Sequence, residues 1–131
     1  MKRGLALLVM GTLAACANQE EHSHPVELIG SWQLIEQLAD PGNGSGVFVE
    51  VESDKTIQFF SDGTVTSNGS LCSMDLSADQ PSSGTYDVGD GSITPSDCLP
   101  TYKIPFVIED THLILFHPIC IEACESKYVK I

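Results

Sequence analysis

The chain is predicted to be all-β, an eight-stranded antiparallel up-and-down β-barrel, and three observations predict it. Apolar residues recur at every second position in short runs; Asp-Gly and Gly-Asp-Gly turn signals separate the runs; and no stretch beyond residue 28 carries a convincing helical period. Short links between successive strands make the up-and-down order the simplest topology, and closing eight strands on themselves leaves no exposed edge.

The strands follow in order. Trp32 and Leu34 alternate with Ser31 and Gln33, the mark of a half-buried strand reaching residue 38. The segment Asp40-Pro41-Gly42-Asn43-Gly44-Ser45-Gly46 favours turn geometry and opens a long loop, in which alternating Val47, Val49 and Val51 predict a short extra strand. Residues 55–60 form the next strand, with Ile57 and Phe59 on one face. Asp62-Gly63 then turns the chain into residues 64–70, because a two-residue hairpin needs the positive φ that these residues tolerate.

Residues 72–82 carry proline and polar side chains without a period and read as a second long loop. Tyr86 and Val88 then alternate with Thr85 and Asp87, and Gly89-Asp90-Gly91 returns the chain into residues 92–97, where Pro95 predicts an irregular or edge-like strand. Cys98-Leu99-Pro100 turns it once more. Tyr102, Ile104, Phe106 and Ile108 make the cleanest alternating face of the chain. Glu109-Asp110-Thr111 leads into residues 112–116, with Leu113 and Leu115 on one face; residues 118–125 are a loop, and residues 127–131 close the chain as a strand with Val129 and Ile131 on one side.

The start of the chain reads as an address. Met1-Lys2-Arg3 is a basic head, an apolar run follows from Leu5 to Leu13, and small residues precede a cleavage point, so residues 1–15 are expected to be a signal peptide. The apolar run is shorter than the ~20 residues of a membrane-spanning helix. Leu13-Ala14-Ala15-Cys16 resembles the bacterial lipoprotein motif, which implies cleavage before Cys16 and lipid on its sulfur and nitrogen. Ala15-Cys16-Ala17 also fits an ordinary A-x-A site that would discard the cysteine. On the lipoprotein reading, Ala17 after the cysteine is similar to proteins sorted onward to an outer membrane, which implies a periplasm-facing anchor. Residues 16–27 are polar and acidic, a solvated tether, and residues 28–131 are the folded domain.

Charge narrows the partners. The chain has six basic and eighteen acidic side chains, and loss of Lys2 and Arg3 with the leader leaves four against eighteen, a formal charge of −14. Such a surface repels nucleic acid phosphates and anionic lipid heads, so membrane attachment falls to the lipid.

Gly30-Ser31-Trp32 matches the Gly-x-Trp of the first strand in the lipocalin-like (calycin) bacterial lipoproteins. Phe59-Phe60-Ser61-Asp62-Gly63-Thr64 and Gly84-Thr85-Tyr86 are similar to recurring hairpin and strand motifs of that fold. The resemblance spans residues 28–131 and implies a small lipocalin-like barrel, although the chain is shorter than the classical members and shows no terminal helix.

In an up-and-down barrel the loops divide between two rims. The short turns at Asp62, Asp90 and Asp110 fall beside the tether, whereas the long loops fall on the opposite rim with Cys72, Cys98, Cys120 and Cys124. An even set of cysteines in an exported chain favours two disulfides. Cys120 with Cys124 and Cys72 with Cys98 is the expected pairing; Cys98 with Cys120 or Cys124 is geometrically open. The rival use of the thiols is zinc bound by four thiolates, or by His117, Cys120, Cys124 and one more ligand; the exported setting and the missing Cys-x-x-Cys spacing favour disulfides over metal.

No catalytic constellation stands out, and no enzyme or cofactor is expected. His112 and His117 lie an odd number of positions apart and point to opposite faces. His22 and His24 sit on the tether, a weak setting for a metal. Asp87 and Asp90 flank a glycine turn, where acidic residues ordinarily serve backbone geometry. Asn43-Gly44-Ser45 and Asn68-Gly69-Ser70 match the glycosylation acceptor pattern by chance.

The interior face is predicted from Trp32, Leu34, Ile57, Phe59, Tyr86, Ile104, Phe106, Leu113 and Leu115. It reads either as a packed core or as a pocket for one small hydrophobic ligand entering at the long-looped rim. Two functions follow. One is a lipid-anchored, lipocalin-like envelope protein that binds that ligand. The other is a protein-binding or inhibitor module whose stapled loops dock a basic protein, as the resemblance in shape to periplasmic lysozyme inhibitors implies.

Overall fold

The computed structural model describes residues 27–131, so the predicted leader (1–15), the lipid site at Cys16 and the tether up to residue 26, with His22 and His24, lie outside the described residues. Among the described residues there are nine strands and no helix: β1 (Gly30–Ala39), β2 (Val49–Glu50), β3 (Thr56–Phe59), β4 (Thr64–Ser67), β5 (Ser82–Asp87), β6 (Ser92–Pro95), β7 (Ile104–Glu109), β8 (His112–Phe116) and β9 (Cys124–Lys130). From β3 to β9 each strand pairs antiparallel with the next, and β1 pairs with both β3 and β9. Eight strands therefore close into an up-and-down barrel, and β2 is the extra strand, added outside the cycle on β1.

The closing strand does double duty. Its first half, Gly30 to Gln33, pairs with β3, and its second half, at Glu36 and Gln37, pairs with β2. The switch occurs at Ile35, where the register with β9 slips between Leu34 and Glu36. A bulge of this kind inserts one unpaired residue and reverses the in–out alternation beyond it. Before it Trp32 and Leu34 face the interior; after it Gln37 shares a face with the buried Ser126, while Glu36 turns outward to an ion pair with Lys127 at 2.7 Å.

The predicted interior residues Trp32, Leu34, Ile57, Phe59, Ile104, Phe106, Leu113 and Leu115 pack into one core with Val65, Leu71, Ile93 and Tyr128. Tyr86 sits half-buried at its edge, its ring edge-on to Phe59 at 5.1 Å and its hydroxyl donating to the Phe60 carbonyl at 2.5 Å. Burying each large apolar side chain contributes roughly 1.5–3 kcal/mol. At the tight-turn end, Trp32 donates from Nε1 to the Leu28 carbonyl at 2.8 Å, and Lys130 lies over its ring with Nζ on the Ile29 carbonyl at 2.6 Å. The short turns carry the acid side chains in backbone roles: Asp62 accepts from the Thr64 amide, and Asp87 from the amides of Gly89 and Asp90.

Several strand boundaries differ from expectation, and three of these have a visible cause. The last strand begins at Cys124, earlier than residue 127, because its inner face is built from Cys124, Ser126 and Tyr128; Val129 and Ile131, the more apolar pair, lie on the other side. Strand β7 starts at Ile104, and Tyr102 stays in the preceding loop with its hydroxyl on the Cys72 carbonyl at 3.4 Å. Strand β4 ends at Ser67, where Asn68 leaves the ladder to accept from the Thr56 amide and donate to the Asp54 carbonyl.

Gly84 marks the tightest crossing of the barrel wall. A Cβ there would lie 2.5 Å from the Thr94 carbonyl oxygen and 2.9 Å from the Pro95 Cα, both backbone atoms of the paired strand. Gly84→Ala is expected to lower the free energy of unfolding by about 1–3 kcal/mol, the cost of overpacking a rigid neighbour, read as a shifted urea midpoint. An unchanged midpoint would show that β5 and β6 separate freely here.

Candidate functional site

The barrel interior is not uniform along its axis. Its floor is apolar, but toward the long-looped rim the inward positions are Gln37, Lys55, Ser67, His117 and Ser126. Lys55 is 2% exposed, His117 6% and Ser126 1%. Alternation puts them there: Lys55 precedes Ile57 and Phe59 on the inner face of β3, and His117 follows Leu113 and Leu115 beyond the end of β8.

A loop folds over this polar layer. Residues 68–81 join β4 to β5, send Leu71 into the core, and then cross the rim. Side chains of the barrel grip their carbonyls in succession: Lys55 Nζ donates to Ser73 at 3.3 Å and Asp75 at 2.9 Å, Gln37 Nε2 to Met74 at 2.8 Å, and Ser53 Oγ to Leu76 at 2.6 Å. The loop also returns to Gly69, where a Cβ would lie 2.6 Å from the Ser77 carbonyl oxygen and 2.9 Å from Lys55 Cε. Cys72 is bonded to Cys98, which ties the loop to the β6–β7 connection; the other disulfide, Cys120 to Cys124, closes the β8–β9 loop. Both pairings are those expected. With its thiolates spent in disulfides, the zinc alternative loses the ligands it required.

Beneath the loop, His117 Nε2 and Ser126 Oγ are 2.9 Å apart. Among the described residues, His117 Nδ1 is a buried polar atom with no hydrogen-bond partner. Burial, and then the nearby Lys55 charge, push the His117 imidazole down from 6.5 to about 4. Burial likewise pushes the Lys55 ammonium down, against the opposing attraction of Asp75. The Ser126–His117 contact has the spacing of a nucleophile and its base, and both groups are buried beneath the loop.

The outer surface of the same rim is apolar. Leu99 is 76% exposed, Ile119 51% and Ile121 101%. Leu99, Pro100, Tyr102 and Ile119 line a cleft of about 450 Å³ beside the Cys72–Cys98 disulfide, with Asp97 at its edge. A second cleft, of about 500 Å³, lies outside the barrel at Ile35, Glu36, Glu50, Val51 and Glu52 and is predominantly acidic. Phe48 of the β1–β2 connection packs its ring under Lys127 Nζ at 4.0 Å, holding that connection to the wall.

The structure therefore gathers the four predicted disulfide cysteines at one rim and the predicted interior residues in the core, with His112 and His117 on separate faces. Lys55, Gln37 and Ser126 belong to the candidate site without having been expected there from the sequence. For Lys55 a signal exists, its two-residue spacing from Ile57; for Gln37 none does, because the bulge at Ile35 reverses its face. No protein family, no curated protein and no solved structure matches this chain.

Replacing Lys55 with Met should raise the His117 titration midpoint above about 4, because a nearby positive charge is removed and the loop loses its hold over the imidazole. Following the His117 ring protons by NMR from pH 7.5 to 3.5 checks this; a midpoint unmoved by Lys55→Met would separate the two groups electrostatically.

Proposed function

We propose that this chain is a lipocalin-like, protein-docking module of the cell envelope, anchored through lipid on Cys16 and presenting its stapled rim to a basic partner. The observation that carries this reading is the contrast between the two ends of the solvent path. The interior is filled by Trp32, Phe59, Phe106 and their neighbours and covered by the 68–81 loop, whereas Leu99, Ile119 and Ile121 stand out on the two disulfide-bearing loops.

Large apolar side chains gathered on a rigid rim are what an interface core requires, and disulfides reduce the entropy lost on docking by holding the loops in place. Exposed Asp97 and Glu122 flank the apolar tips, and the strongly acidic chain around them attracts a basic protein over distance. Leu28 and Ile29 lie beside Trp32 and Lys130 at the opposite rim, so an anchor at Cys16 would turn the stapled rim away from the membrane. The reading with a hydrophobic ligand inside the barrel asks that ligand to displace packed side chains and lift the loop.

A photo-crosslinking residue placed at Ile121 should trap the partner in intact cells, and one placed at the exposed Val88 on the tight-turn rim should not. Ile119→Asp combined with Ile121→Asp should weaken binding at least tenfold while leaving the thermal midpoint within about 2 °C, since both side chains are exposed. Recovery of a stoichiometric lipid from solvent-extracted protein would instead favour the ligand reading. For the anchor, Cys16→Ala should move the protein from the membrane to the soluble envelope fraction; retention in the membrane would sink it.

A further inference from the structure

We propose that residues 73–81 are an acid-released cap over the loop-bearing end of the barrel, with Lys55 as the pin that holds it and His117 as the trigger that frees it. The segment is bounded by Cys72, bonded to Cys98, and by Ser82 at the start of β5, and it joins no strand ladder. Four side-chain hydrogen bonds from Lys55, Gln37 and Ser53 to four successive carbonyls hold it down. Directly below, Gln37 is in register with Ser126, whose hydroxyl meets His117. Pin and trigger thus belong to one buried layer.

Protonation turns both imidazole nitrogens into donors. Nε2 keeps Ser126 Oγ as its acceptor, but Nδ1 has no acceptor in the closed arrangement, and a second cation is placed near the Lys55 ammonium. Something must admit water. The backbone at His117 is fixed by its amide on the Cys124 carbonyl at 2.8 Å and by the Cys120–Cys124 disulfide, so the part free to yield is the cap. Once wetted, the imidazole regains its ordinary affinity for the proton.

The sign follows from the two proton affinities. The closed form takes the proton only near pH 4 and the open form near 6.5, so the closed form is fully favoured above 6.5 and loses ground as pH falls toward 4. Between pH 7.5 and 4.5 the ratio of open to closed should rise about 70-fold. Other groups facing this layer leave that window to His117. Asp75 on the cap is held below the ordinary carboxylate range, chiefly by the Ser77 amide and hydroxyl, and stays ionised. Tyr102 from the β6–β7 loop and Tyr128 from β9 are pushed up by burial and stay neutral. Glu36 is paired with Lys127 on the outer wall. Glu125, on the outer face of β9, is pushed up by burial and by Glu109 and needs its own control.

The test is NMR on the full-length chain between pH 7.5 and 4.5, following the carbonyl carbon shifts of Ser73, Met74, Asp75 and Leu76, which accept the four holding bonds, beside the amide exchange protection of β8 and β9. The open-to-closed ratio read from the cap carbonyls should rise about 70-fold while β8 and β9 protection changes less than threefold, with the cap response following the same midpoint as the His117 ring protons. His117→Gln and His117→Phe should flatten the response, and Glu125→Gln should keep it. Loss of sheet protection in step with the cap, a flat wild-type profile, a cap midpoint that departs from that of His117, or an acid response surviving in the His117 variants would each overturn the proposal; the wild-type comparisons decide it even where a variant fails to fold.

Discussion

Closure of the sheet along β1 and β9 is the constraint on which everything else rests. The two strands come from opposite ends of the domain, and seven residue pairs from Trp32↔Lys130 to Ala39↔Cys124 join them. Closure removes the edges that β1 and β9 would otherwise leave open to other chains, and it fixes which side chains share the interior. The bulge at Ile35 makes the closure compatible with two different partners on the far side of β1. Without it the position now held by Gln37 would hold Glu36, and a carboxylate would sit under the loop beside Lys55.

The interior that results is divided. Its apolar floor follows from alternation alone, and it is small enough that the barrel cannot rely on it entirely. The upper layer carries a buried ammonium, which is costly unless its donors are met. Here they are met by backbone carbonyls of a loop rather than by a carboxylate, so burial of the cation and placement of the loop are one event: lifting the loop exposes the charge, and removing the charge strands the carbonyls. The same reciprocity accounts for Gly69, whose missing side chain lets the Ser77 carbonyl and the Lys55 chain converge.

Much of this was legible in the order of residues. Trp32 with Leu34, Ile57 with Phe59, and Leu113 with Leu115 declare their faces by spacing, and the Asp-bearing turns declare the tight rim. Assigning the rims brings the four cysteines together and makes the observed pairing the expected one, while Cys98 with Cys120 or Cys124 stays open until the loops are placed. Features that depend on a single irregularity or on a long-range contact were not legible. Alternation assigns Gln37 to the wrong face because nothing near Ile35 announces a bulge, and the grip of Lys55 on Ser73 and Asp75 joins segments whose approach only the closed barrel sets. In the last strand the apolar pair Val129 and Ile131 draws the eye, whereas the inner face carries Cys124, Ser126 and Tyr128, two of them small.

The two disulfides act on different mechanical problems. The Cys120–Cys124 bond closes a loop within itself and stiffens the turn that carries Ile121 at its tip. The Cys72–Cys98 bond joins the root of the 68–81 loop to the connection that carries Leu99, so it couples the covering of the interior to the exposed rim across which Ile119 packs. Because this bond lies at one end of the covering segment and the β5 ladder at the other, displacement of the segment's middle need not move Cys72, and the apolar rim can keep its shape while the polar layer beneath becomes wet. A barrel with these staples exchanged would lose that separation, since a bond from Cys98 to the β8–β9 loop would leave the root of the covering loop attached through the Tyr102 hydroxyl on the Cys72 carbonyl and through Leu71 in the core. The observed connectivity thus holds the surface that meets solvent, while the segment over His117 is held by side-chain hydrogen bonds rather than by a disulfide of its own.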